Sequence, residues 1–368
     1  MHSMFDWASF RAPCFHPDLI DGGRVMKIAP GGEIEWQVAS RLPVVGSHDA
    51  NLMIRTHGVD IVDGRRVGVI LEVSGNPSKW LQGHNLFGGF VSLGALLEAT
   101  MYRLCELLPG LQPNDMDRAM WRHRTAFEVT RVDVNTMIGL GSRARARAWV
   151  RAAEQTGYMR HRGRGSLMKN GTVYWGLGSK RSVAKVYVKG DELEAGKGHS
   201  LKDDLPLLAN LQAWADDKIR FEVMLRSNEL RKRGLNVVAN WRDDTAAKIL
   251  LSTAEGLVMS GQELLPDIEL SKLPHNLRMA YSAWQNGDDL RDILPRRTFY
   301  HYRKQLLPLG VDIGVLVPKE KPSNVVPLQQ VLDAYPATIP EWAYGTPLLV
   351  GPSDLDTMRQ RFLARRAA

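Results

Sequence analysis

At 368 residues the chain is long enough to bury a substantial core and to divide into two or three domains. Its 44% hydrophobic and 24% charged residues exclude wholesale disorder, and no apolar run approaches the roughly 18–20 residues that span a bilayer. The formal charge of +8 and pI near 9.5 favour a polyanionic partner. Only Cys14 and Cys105 are present, too few for a disulfide framework or a cysteine-based zinc site. The N-terminus also lacks the basic-then-apolar order of a secretory signal, so a reducing cytoplasm is expected.

In chain order, the first third reads as β: RVMKIA, GEIEWQVAS, ANLMIRTHG and RRVGVILEVSG alternate between turn signals. A helix follows over about 93–108, then a long strand RTAFEVTRVDVNTMI and a helix within SRARARAWVRAAEQTG. GTVYWGL and SVAKVYVK, joined by Gly-Ser-Lys-Arg, read as a hairpin. From about Leu201 the pattern turns helical around one more strand, IRFEVML. The fold class expected is α+β: a largely antiparallel sheet with covering helices, then a mainly α-helical C-terminal region. Domain boundaries are placed at 1–235 and 236–368. Within the second, 276–310 resembles a helix-turn-helix, with Thr298 as cap of FYHYRKQLL and Arg296, Arg297, Tyr300 and His301 in its early turns. A small helical bundle without DNA contact is the competing reading.

Basicity is concentrated. Between Gly141 and Asn170, Arg143, Arg145, Arg147, Arg151, Arg160, Arg162, Arg164 and Lys169 face a single acid, Glu154. Phosphate contact is expected there, against the alternative of a solvated helix face and loop.

Several chemistries are absent. GDELEAGKG has the wrong spacing for a phosphate-binding loop, and GLGSK lacks the setting and third glycine of a dinucleotide site. No histidines lie two residues apart, and HExxH is missing.

The stretch RSVAKVYVKGDEL, 181–193, carries the most pointed chemistry. Strand alternation sends Ala184, Val186 and Val188 to one face and Lys185, Tyr187 and Lys189 to the other. A free phenol has a pKa near ~10 and is a poor nucleophile, but neighbouring ammonium groups favour phenolate and suit a bound phosphate. Attack on phosphorus also calls for a hard cation, magnesium or manganese, held by oxygen ligands. Three acids lie within expected strands: Glu72, Asp133 with Arg131 beside it, and Glu222. Packing for the tyrosine and arginine pairing for the acids remain open at this point.

The block EVSGNPSKWLQGHNLFG, 72–88, closely resembles the signature of the filamentous-phage gene II replication initiators, a Pro-x-Lys-x-Leu-Gln-Gly-His-Asn-x-Phe-Gly run. The likeness continues in order through TRVDV, VYVKGDE, RFEVMLRSNELRKRGL, SNVVPL and PEWAYGTP, from Glu72 to Pro347.

That resemblance implies a rolling-circle initiator, a nickase and strand-joining enzyme in the cytoplasm of a bacterial host. It would act on origin DNA, double- and single-stranded, beside a host helicase and polymerase. The family's Ala/Val-Tyr-Leu/Val-Lys pattern falls on Val186-Tyr187-Val188-Lys189, making Tyr187 the nucleophile, with Lys189 and Lys185 stabilising charge. Asp133, Glu72 and Glu222 become the metal-ligand candidates. For His84 two readings stand open, a ligand or DNA contact and a structural turn at Gly83-His84-Asn85. Tyr174 has two as well, an auxiliary in strand transfer and core packing. DNA contacts are expected from Arg131, Arg143, Arg145, Arg147, Arg160, Arg162, Arg164, Arg296, Arg297 and His301. The C-terminal part resembles a separately made single-strand-binding product, for which Met279 offers an internal start. The rival functions are a non-catalytic origin-binding regulator and a plasmid mobilisation relaxase.

Overall fold

The computed structural model describes residues 2–159, 162–168, 171–196, 198–259, 273–309, 311–314 and 335–367. Its strands are β1 (Met4–His16), β2 (Arg24–Ile28), β3 (Ile34–Ala39), β4 (Leu42–Val45), β5 (Asn51–Val62), β6 (Arg65–Gly75) and β7 (Glu128–Gly139). Then come β8 (Gly157–Met159), β9 (Gly163–Arg164), β10 (Ser166–Leu167), β11 (Val173–Trp175), β12 (Ser182–Val188), β13 (Lys218–Arg226) and β14 (Leu257–Met259). The helices used below are α1 (Pro77–Gln82), α2 (Leu93–Leu107), α3 (Asp115–Arg122), α4 (Arg143–Thr156), α5 (Lys189–Glu194), α6 (Leu208–Asp216), α7 (Ser227–Lys232) and α8 (Thr245–Glu255). The last four are α9 (His275–Gln285), α10 (Leu290–Ile293), α11 (Arg296–Leu306) and α12 (Pro352–Ala367).

Nine strands form one sheet in the order β10-β11-β12-β13-β7-β1-β6-β5-β4, every neighbouring pair antiparallel. The expected α+β architecture is the observed one. One face is apolar: Phe10, Leu71, Val132, Val134, Ala184, Val186, Phe221 and Val223 pack under Leu96 and Leu97 of α2, Trp149 and Val150 of α4, and Ile249 and Leu250 of α8. Each such side chain contributes about 1.5–3 kcal/mol on burial, so this layer fixes the sheet. The other face carries a smaller cluster, Met4, Phe87, Met137, Leu193, Leu211 and Leu348, and beside it the polar groups of the candidate site.

Two expectations need correction, and one strand is not assigned from sequence. MFDWASFRAPCFH, which is not among the candidate strands, is β1, hydrogen-bonded on both sides between β6 and β7. The boundary at 235 does not divide the packing, because Trp241, Ala246, Leu250, Leu355 and Phe362 belong to the core of the main sheet. A separate cluster is formed instead by α9, α10 and α11 with Val311 and Ile313. Finally, α11 begins at Arg296 with Pro295 before it, so Thr298 lies inside the helix rather than at its cap; proline suits a helix start because it has no amide hydrogen to satisfy.

Candidate active site

The cross-strand register decides what faces what. Tyr187 lies opposite Arg220, Lys185 opposite Glu222, Glu222 opposite Asn135, and Asp133 opposite Met224. Since side chains on paired residues share a face, Lys185, Tyr187, Arg220, Glu222, Asp133 and Asn135 form one polar patch. Lys189 leaves the strand to start α5, but its ammonium returns to the same patch.

This patch is buried. Arg220 and Glu222 are 0% exposed, Asp133 and Lys189 1%, and Tyr187 6%. Burial pushes the Tyr187 phenol well above its usual range, and the Arg220 guanidinium opposite pulls in the other direction. Burial, reinforced by Arg220, holds Lys189 down to about 8, against the raising effect of Glu192 2.5 Å from its ammonium. Desolvation lifts Glu222 to about 7 despite Lys185 at 2.8 Å, with the charges of Asp6 and Asp133 adding to the rise. Asp133 is raised by burial too, although Arg131 donates to both of its oxygens at 2.8 and 2.6 Å.

The three acids and the imidazole singled out from sequence do not converge. Glu72 lies on β6, three strand spacings or roughly 14 Å from β13. Its carboxylate accepts from Arg41 at 2.7 Å and from Arg55 at 3.2 Å, with Arg11 at 3.7 Å, so it serves an arginine network. His84 is fully buried; its Nδ1 accepts from the Leu86 amide at 3.2 Å and its Nε2 donates to the Leu348 carbonyl at 2.9 Å. Burial drops its pKa to about 3, leaving a neutral ring with both nitrogens engaged. The structural reading of the turn describes that geometry: Gly83, at φ 85°, closes α1 in the left-handed region where glycine is favoured.

A divalent cation is therefore tested against Glu222 and Asp133. Glu222 Oε2 and both amide atoms of Asn135 are buried without a hydrogen-bond partner among the described residues, while Glu222 Oε1 has the Lys185 ammonium at 2.8 Å. Orphaned hard donors of this kind call for water or an ion. No three His, Cys, Asp or Glu side chains among the described residues stand close enough to hold a metal together. Magnesium is commonly held by one or two carboxylates plus substrate phosphate and water, so the donor set fits that mode.

The expected cationic strip is partly neutralised. Arg143 pairs with Asp216 at 2.6 Å and Glu194 at 2.7 Å, and Arg147 with Asp191 at 2.7 Å. Arg162 points inward to Ser182 Oγ at 2.7 Å, and Arg164 sits 3.7 Å from Asp289. Arg145 is exposed, as are Arg296, Arg297 and His301 on α11; Arg160 and Lys169 lie outside the described residues. Tyr174 is half-buried on β11, opposite Lys185 and hence on the polar face.

Sequence reasoning missed Asp6, Asn76, Asn85, Asn135 and the role of Arg220. Asp6 Oδ1 accepts from Asn76 at 2.6 Å and Asn85 at 2.7 Å, with Arg220 Nη1 at 3.4 Å. Asn85 Oδ1 accepts from Lys189 at 3.1 Å, and its carbonyl accepts from Arg220. Both asparagines belong to the 72–88 block, which was the available signal. Beside this network opens a cleft of about 680 Å³ lined by Asp6, Asn76, Lys79, Asn85, Glu192 and His199 among others. Two lining residues pair with each other, Lys202–Asp49 at 3.2 Å, and a third, His48, stands 2.9 Å from Asp204.

An antiparallel sheet with a tyrosine among buried cations and carboxylates, together with a separate small helical cluster, defines an α+β protein with a candidate phosphate-chemistry site. Residues 4–244 match the N-terminal family of the phage gene II-type replication-associated proteins, and residues 267–349 match its C-terminal counterpart. The chain is also 37% identical over 338 residues to the gene II-type replication-associated protein of Enterobacteria phage I2-2, covering 92% of this chain and 95% of that one. The chain belongs to this gene II-type replication-associated family, as the resemblance of the 72–88 block implied. A solved rolling circle replication initiator protein from Geobacillus stearothermophilus is a distant likeness, at TM-score 0.32 and 14% identity, covering 72% of this chain and 89% of that one.

Proposed function

We propose that the protein initiates rolling-circle replication of a phage genome by nicking the plus strand at its origin. The observation that carries this is the placement of Tyr187, a buried phenol opposite Arg220 and between the ammonium-bearing residues Lys185 and Lys189. The Tyr187 phenol loses its proton to water and its oxygen attacks the scissile phosphate in line. The 3′-oxygen leaves, takes up a proton and becomes the free 3′-hydroxyl, while the 5′-phosphate stays on the tyrosine. Reversal by a new 3′-hydroxyl rejoins the strand. Arg220, Lys189 and Lys185 stabilise the phenolate and the charge on the pentacovalent centre. Glu222 and Asp133 would hold magnesium or manganese, which supplies Lewis-acid neutralisation of the non-bridging oxygens when bound.

Because Tyr187 is 6% exposed and does not line the cleft, the packing over it has to shift before DNA reaches it. The exposed cations of α11 grip DNA phosphates, with Tyr300 available for base stacking. The reaction takes place in the cytoplasm of the bacterial host, where a helicase and a polymerase extend the 3′ end. No helix among the described residues is long and apolar enough to cross a membrane.

The test is a nicking assay on supercoiled origin DNA with magnesium or manganese, comparing wild type with Tyr187→Phe. Open circles and a protein–DNA adduct, both lost in the variant, support the reading. Nicking that survives the substitution names another nucleophile, and binding without nicking in either protein makes this an origin-binding regulator.

A further inference from the structure

The 72–88 block contributes no group to the steps above, yet two of its side chains end on one carboxylate. Asp6 sits where the β1–β7 register shifts between Phe5 and Ala8. Such an irregularity re-aims a side chain out of the pleat. Its Oδ1 faces the amides of Asn76 and Asn85.

Hydrogen-bond chemistry then fixes both amides. A carboxylate only accepts and an ammonium only donates. With its NH2 on Asp6, Asn85 presents Oδ1 to Lys189 at 3.1 Å, while its backbone carbonyl receives Arg220. Asn76 is locked the same way, its Oδ1 accepting from the Lys79 amide at 2.9 Å as the cap of α1. The block thus delivers one asparagine that anchors and one that transmits.

We propose that Asp6 is a positioning residue for the nicking reaction, acting through the amide of Asn85 to hold the Lys189 ammonium and the Arg220 guanidinium about the Tyr187 phenol. This rests on the reading of Tyr187 as nucleophile. Around Lys189 the charged groups are Arg220, Glu192 and Asp6; burial and Arg220 disfavour its charge, and Glu192 and Asp6 favour it. The His84 ring nearby is neutral.

The experiment is the pH profile of nicking by the full chain on origin DNA, for wild type, Asp6→Asn and Asn85→Asp, each also in a Lys189→Arg background. A companion measurement follows the 15N-labelled lysine ammonium resonance of Lys189 with pH. In wild type the rate climbs with pH as the raised Tyr187 phenol ionises until Lys189 loses its proton at about 8, beyond which the profile turns into a flat alkaline limb. Asp6→Asn moves that alkaline limb to lower pH and lowers the maximal rate by about tenfold, whereas Asn85→Asp, which adds an anion beside the ammonium, moves it to higher pH. In the Lys189→Arg background the limb and both displacements vanish. A limb that stays in place in both variants, or displacements that persist with arginine at 189, overturn the proposal. If Asp6→Asn does not fold, the opposite shift in Asn85→Asp carries the test alone. Should Tyr187→Phe still nick, the nucleophile assignment falls. The ammonium resonance then decides separately: a displaced titration supports positioning by Asp6, and an undisplaced one removes it.

Discussion

Around Tyr187, an arginine, lysines, acids and a phenol are packed in the interior of the sheet's polar face, and their protonation is set by burial and by one another. On α11 the same residue types, Arg296, Arg297, Tyr300 and His301, stand in solvent on a helix whose apolar side is held by Phe299 and Leu306. Low dielectric makes the first set strong and costly to disturb. Water and salt make the second set weak one by one and additive along a phosphate backbone. A count of charges does not separate the two; their partners do.

The sharpest division between these regions comes from Tyr187→Phe, expected to reduce nicking and adduct formation to background in a gel assay while origin binding persists. Loss of binding as well would mean that the buried region also grips DNA. Next in size, Arg220→Leu leaves Asp6 without its guanidinium in the interior and is expected to cost about 3–5 kcal/mol in denaturant unfolding. A cost under about 1 kcal/mol would place this arginine in the same energetic class as an exposed pair.

On the exposed side, Arg296→Gln with Arg297→Gln should lower the salt slope of DNA binding by about 1.8, two phosphate contacts' worth. The matched change at Arg143 and Arg147, already paired with Asp216, Glu194 and Asp191, is expected to leave that slope nearly unchanged. Equal slopes for the two double variants would erase the contrast. The last effect is one of pH. His84 titrates at about 3 when folded and near 6.5 when unfolded, so its stabilisation is complete above about pH 6.5 and is lost as pH falls toward 3. His84→Asn should therefore flatten the acid side of a stability–pH curve, by up to one proton in its slope.

Local alternation made the sheet legible. SVAKVYVK, IRFEVML and RRVGVILEVSG became strands, and the division of Ala184 and Val186 from Lys185 and Tyr187 holds in the register. β1 was not legible because it is poor in β-branched residues and contains Pro13; the register shifts between Pro13 and His16, which lets the strand tolerate a residue without an amide hydrogen. Site membership was harder. Glu72 and Glu222 look alike in sequence, each an acid inside an apolar strand, and only strand order separates them. Asp6 meets Asn76, Asn85 and Arg220 across 70, 79 and 214 residues, distances over which no periodicity speaks. The arginines of α4 were read as free because their acids, Asp191, Glu194 and Asp216, come from α5 and α6.

The position of β1 between β6 and β7 bears on how the molecule is made. Ser9 meets Ser74 65 residues later, and Arg11 meets Glu128 117 residues later. A chain emerging from the ribosome therefore presents β1 with both edges open until two later segments arrive. Open edges invite pairing with other nascent chains, so crowded translation is where this fold is most exposed to aggregation. Slower synthesis or an early chaperone contact near the N-terminus is expected to raise the soluble yield.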